Sequence, residues 1–83
     1  MICVAPHPDK REVAVNVQIN ENSMVTMRIY DHTNATIIHR SIEAPRGLNN
    51  LVIDGTRDLI PGNYLLEVIV NSKDRMMVNL IKE

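Results

Sequence analysis

Between Arg11 and Asn20 every second residue is a branched aliphatic: Val13, Val15, Val17 and Ile19 fall on one side of an extended chain, and Ala14, Asn16, Gln18 and Asn20 on the other. Successive side chains of a strand point to opposite faces, so this is the pattern of a strand with one buried face; a helix cannot gather those positions on one stripe. After Glu21-Asn22-Ser23 the alternation resumes from Met24 to Tyr30, with Val25, Met27 and Ile29 facing one way and Thr26, Arg28 and Tyr30 the other. Two consecutive half-buried strands, each closed by polar turn residues, commit the chain to a sheet that must cover its apolar face with another layer.

The remaining segments continue in the same manner. Asp31-His32-Thr33-Asn34 reads as a turn in which Asn34 takes a left-handed conformation at little cost, and Thr36 to Ile42 reads as a third strand. Glu43 to Asn50, marked by Pro45 and Gly47, reads as a loop before a short strand Leu51-Val52-Ile53. Pro61-Gly62 fits a type II turn, since proline pre-sets the first central residue and glycine accepts the positive φ of the second. The apolar runs on either side of Asn71-Ser72-Lys73-Asp74 read as a terminal hairpin, in which Glu67 and Asn79 mark the outward face and Lys73-Asp74-Arg75 a solvated turn. Ala5-Pro6-His7-Pro8 favours extended backbone. No segment carries a 3.6-residue period with caps, so essentially no helix is expected. The fold class predicted is all-β: an immunoglobulin-like antiparallel β-sandwich of about seven short strands, one domain over residues 1–83.

Composition narrows the function classes. The chain has 83 residues with a net charge of −1, no Phe, no Trp and two Tyr. That balance lacks the basic footprint of a nucleic-acid or anionic-membrane binder, and two tyrosines are too few for a base-stacking or sugar-stacking platform. Cys3 is the single cysteine, which excludes an internal disulfide and reads as a small buried or strand-end thiol. No apolar run reaches the length of a membrane-spanning helix, and no signal peptide is visible. His7, His32 and His39 are scattered, no Ser stands in a nucleophile-elbow setting, and Cys3 lies too near the chain end to act as a nucleophile. The expectation is a non-catalytic protein with no cofactor, no metal and no small-molecule substrate. Asp31-His32-Thr33-Asn34 offers metal ligands on paper, but turns select Asp and Asn for backbone reasons alone. Asn34-Ala35-Thr36 matches an N-glycosylation sequon.

Several of these segments, in order, resemble the C-terminal sorting domain carried by cargo proteins of the type IX secretion system of Bacteroidetes. Ala5-Pro6-His7-Pro8 looks like the opening Tyr-Pro-Asn-Pro-like motif, with His7 where Asn is usual, and Glu12 to Ile19 like the valine-alternating strand. Arg28-Ile29-Tyr30-Asp31 with its turn resembles the family's aliphatic-Tyr-Asp turn, Asn34 standing where Gly is usual. Leu59-Ile60-Pro61-Gly62-Asn63-Tyr64 resembles the Leu-x-x-Gly-x-Tyr turn and strand, and Lys73 to Lys82 the closing basic residue and aliphatic strand. The resemblance implies an address label at the end of a longer cargo, with Pro6, Pro8, Tyr30, Asp31, Pro61, Gly62 and Tyr64 holding the scaffold. It implies recognition through the terminal strand at Lys73, Arg75, Met76, Met77, Val78, Leu80 and Lys82. The implied partners are an outer-membrane translocon or shuttle protein and a sortase-like surface enzyme, met during transit through the periplasm to the outer-membrane surface or medium. A strand-paired or swapped dimer is a further expectation of an open sheet edge. The alternative reading is a structural or adhesive immunoglobulin-like spacer module of a surface protein.

Overall fold

The computed structural model describes the backbone of residues 2–6 and all of residues 12–82. His7, Pro8 and Arg11 lie outside the described residues, as do the side chains of Cys3 and Pro6. Seven strands are described: β1 Ile2–Pro6, β2 Val13–Ile19, β3 Ser23–Tyr30, β4 Thr36–Ala44, β5 Gly47–Ile53, β6 Gly62–Val70 and β7 Asp74–Lys82. They form a three-stranded sheet in the order β1-β2-β5 and a four-stranded sheet in the order β4-β3-β6-β7. Every pairing is antiparallel.

The chain changes sheet between β2 and β3, between β4 and β5, and again between β5 and β6. That Greek-key path, with the second, third and sixth strands central, is the immunoglobulin-like arrangement in which the fourth strand joins the second sheet.

The alternation decides which faces meet. Val15 and Val17 from β2, Val25, Met27 and Ile29 from β3, and Leu66 and Val68 from β6 are fully buried and pack as one cluster with Ile53. With no aromatic ring among the fully buried side chains, the two layers close by interdigitating branched aliphatics with the flexible Met27, and Tyr64 packs half-buried against them. Leu66, two residues after Tyr64, occupies the position that holds a cysteine in the disulfide-bearing members of this architecture.

Three sequence-based expectations need correction. The stretch from Glu43 to Asn50 is not a loop: β4 runs on to Ala44, β5 begins at Gly47, and only Pro45 and Arg46 connect them. The inward positions of β5 opposite Val17 and Ile19 are held by Asn49 and Gly47, so the apolar alternation that marks a strand is missing there. Asn49 is satisfied locally, donating from Nδ2 to the Pro45 carbonyl at 2.9 Å. Pro61-Gly62 is not a type II turn either: Gly62 has φ 156°, far from the value near +80° that the turn needs, and it already pairs with Lys82 as the first rung of β6. Finally, Asp74 and Arg75 belong to β7 rather than to the turn. The hairpin turn lies at Asn71 and Ser72, both left-handed (φ 52° and 58°), with Lys73 N–H donating to the Val70 carbonyl at 3.0 Å; two positive φ values in succession match the twist of a hairpin. The extended backbone expected at Ala5-Pro6 belongs to a paired strand, β1, and a 3₁₀ turn, Thr56–Asp58, stands between β5 and β6.

Candidate functional site

The outer face of the four-stranded sheet carries a polar cluster that starts from register. Arg28 of β3 is directly opposite Glu67 of β6, which is in turn opposite Met77 of β7, with Arg75 one rung along the same face. Glu67 is only 5% exposed although it faces outward. Its Oε1 accepts from Arg28 Nη1 at 3.3 Å and from the Tyr30 hydroxyl at 2.9 Å. Its Oε2 faces Arg75 Nε at 3.1 Å. Burying a carboxylate is costly unless it is paired and hydrogen-bonded; here two guanidiniums and a phenol cover it.

Around this cluster the same face presents Met24, Met77 and Ile81 to solvent, Ile81 being 76% exposed.

The two turns that carry the sequence motifs meet at one end of the sandwich. Asp31 and His32 from the β3–β4 turn and Leu59 to Tyr64 from the β5–β6 connection line an open groove of about 400 Å³, together with Ile37 and Asp58. Asp31 braces its own turn through one carboxylate oxygen. Its Oδ1 accepts from Thr33 N–H at 2.8 Å, Thr33 Oγ1 at 2.6 Å and Ala35 N–H at 3.1 Å. The Thr33 hydroxyl and amide hold its carboxyl below the usual aspartate range. Asn34 takes φ 67°, the left-handed residue the sequence suggests. Tyr64 donates its hydroxyl back to the Ile60 carbonyl at 2.6 Å. That is the tyrosine corner of immunoglobulin-like sandwiches, in which a tyrosine near the start of the sixth strand ties down the crossover before it.

A second lock sits on the opposite side of that crossover. Glu12, buried just before β2, accepts from Thr56 Oγ1 at 2.8 Å, from Arg57 N–H at 2.9 Å and from Gly55 N–H at 3.3 Å. The Arg57 amide foremost holds the Glu12 carboxyl below its ordinary value. Thr56 Oγ1 also accepts from Val13 N–H at 2.7 Å, so one threonine joins the start of β2 to the loop after β5.

The terminal-strand residues divide between the two faces of β7. Arg75 and Met77 lie on the outer face, while Met76, Val78, Leu80 and Lys82 follow the inner row and are half-buried. Lys82 Nζ donates to the Arg57 carbonyl at 3.0 Å. Lys73 stays exposed in the turn. Of the scaffold residues, Tyr30 joins the Glu67 cluster, Asp31, Pro61, Gly62 and Tyr64 line the end groove, and the Pro6 backbone pairs with Val13; Pro8 lies outside the described residues. Sequence reading placed Glu67 on the outward face and missed its burial and its arginines. The signal available was a lone acid in an apolar strand and a lone arginine in another, but only the register makes them neighbours.

Among the described residues no group of three or more His, Cys, Asp or Glu side chains stands together, and no helix is long and apolar enough to cross a membrane. No protein-family model matches the chain, and no curated protein matches it.

Proposed function

We propose that this chain is a non-catalytic sorting domain of the type IX kind, which directs an attached cargo through the periplasm and across the outer membrane. Its partner reads it through β7. The observation that carries this reading is the condition of that strand. It pairs with β6 over nine residues without a register shift and, among the described residues, has no strand on its other side, so its outward N–H and C=O groups can accept a partner strand. The turn at Asp31-His32 and the Leu59–Tyr64 corner support it further, since both line the same end groove. The partners are an outer-membrane translocon or shuttle protein and a sortase-like surface enzyme.

The test is export of a fluorescent reporter fused ahead of residues 1–83 behind a signal peptide, in a Bacteroidetes strain with and without a working type IX translocon. Reporter on the surface or in the medium only when the translocon works supports the proposal. Reporter held in the periplasm of both strains refutes it and leaves the spacer reading. Export that survives deletion of residues 73–83 would place recognition elsewhere than β7.

A further inference from the structure

The four sheet edges are not equally protected. β1 is five residues long and ends in Pro6. β4 is interrupted by a register shift beside Tyr30, and its Arg40 reaches across to the Asp54 carbonyl at 3.4 Å. β5 starts on Gly47 at φ 114°. A bulge, an inward charge, a proline or a short irregular strand each discourages pairing with a stranger. β7 has none of the backbone devices: it is regular, contains no proline and runs for nine residues. Its only guard is charge. Along the inner row, Asp74 and Lys82 stand at opposite ends with Met76, Val78 and Leu80 between them.

Such a row rejects most strands but accepts one that offers the same sequence reversed. We infer that β7 pairs with β7 of a second copy, antiparallel about a two-fold axis at Val78, joining the two four-stranded sheets into one. In that register Asp74 faces Lys82 of the second copy at both ends, Met76 faces Leu80, and Val78 faces itself. It is the symmetric register that pairs the whole strand. A shift by one residue turns the inner row of one copy to the outer face of the other. A shift of the two-fold axis to Met77 sets Asp74 against Leu80, and a shift to Asn79 sets Lys82 against Met76. The Lys82 ammonium has three protons and gives one to the Arg57 carbonyl, which leaves donors for the partner carboxylate. The pairing rests on β7 alone and not on the sorting role.

The test is sedimentation velocity of residues 1–83 from micromolar to millimolar concentration. A concentration-dependent dimer is expected for the wild type. Asp74→Lys and Lys82→Asp each set like charges opposite one another at both ends and should weaken dimerisation roughly tenfold or more. The double variant Asp74→Lys/Lys82→Asp restores opposite charges in reversed order and should recover the dimer. Circular dichroism confirms that each variant is folded. In a Cys3→Ser background, Val78→Cys should crosslink to itself under mild oxidation, because directly opposite Cβ atoms fit disulfide geometry. A monomer throughout the range overturns the inference. So does a dimer that the single charge reversals leave intact, or one that the double variant fails to restore.

Discussion

Replacing Glu67 by Gln isolates what the outer-face cluster contributes. The amide keeps the volume and can keep an oxygen toward the Tyr30 hydroxyl, but it removes the charge that both guanidiniums face. The arginine side chains are 36% and 60% exposed for Arg28 and Arg75, so solvent screens each pair down to about 0.5 kcal/mol. The amide nitrogen then meets Arg75 Nε, donor against donor, where a bond of 3.1 Å stood; a polar group left unmatched at a buried site costs about 1 kcal/mol. The sum is about 2 kcal/mol, against a total stability of about 4–12 kcal/mol for a domain of this length. In urea unfolding followed by circular dichroism, that loss lowers the midpoint by about 1.5–2 M, and the melting temperature by about 10 °C. Arg75→Ala should cost less, about 0.5–1 kcal/mol, because the freed carboxylate keeps Arg28 and Tyr30. A Glu67→Gln variant within about 0.5 kcal/mol of wild type would show the cluster to be energetically idle. An Arg75→Ala variant as damaged as Glu67→Gln would show that the two arginines do not share the carboxylate as the distances imply.

Three further predictions each rest on one side chain. Tyr64→Phe removes the corner hydrogen bond to Ile60 while keeping the ring, and should cost about 1 kcal/mol, read as a fall in melting temperature of about 5 °C. Leu66→Ala opens a cavity between the sheets and should cost about 2–5 kcal/mol, enough to leave a substantial unfolded population by hydrogen exchange. Glu12 is the acid-sensitive lock. Its folded-state carboxyl is held below the ordinary value of 4.5, so the stability it lends is complete above that value and is lost as pH falls through the folded value. The urea midpoint should hold steady from neutral pH down to about 5 and fall below it. Glu12→Gln should flatten that fall, leaving the part that Asp31, lowered in the same direction, contributes.

The fold was legible where burial and period coincide. β2 and β3 alternate because one of their faces is the core, and Val15, Val17, Ile19, Val25, Met27 and Ile29 are buried as the pattern names them; Ala14, on the other face, is buried as well, and Val13 is only half-buried. Of β5 only the end, Leu51 to Ile53, reads as strand in the sequence; its first half does not, because Asn49 and Gly47 hold inward rungs near the rim of the sandwich, where hydrogen bonds to nearby carbonyls replace apolar packing. The Leu-x-Pro-Gly-x-Tyr segment works by a different mechanism from the type II turn its Pro-Gly pair suggests. The tyrosine hydroxyl reaching four residues back fixes the corner, rather than a turn centred on Gly62. Two locks were invisible for a common reason. The bonds of Glu12 with Thr56 and of Glu67 with Arg28 join residues 44 and 39 positions apart, and a residue list carries no register between distant strands.

The edge at β7 also sets a relation between self-pairing and recognition. A receptor strand and a second copy would use the same outward N–H and C=O groups of β7, so they cannot occupy it together. Binding to a partly sequestered state weakens apparent affinity by the fraction that remains free, so a population half dimeric would show an apparent Kd about twofold above the intrinsic one. The charge-reversed single variants, by dimerising more weakly, reduce that competition without altering the backbone that a partner strand would contact. A receptor that reads only the backbone and the central Met76-Val78-Leu80 row should therefore bind them at least as well as wild type. A receptor that also reads the terminal charges should bind them worse, and the double variant, dimeric once more, should stay impaired toward it. Dimer strength and partner strength measured on the same four proteins thus separate the backbone edge from the charges that guard it.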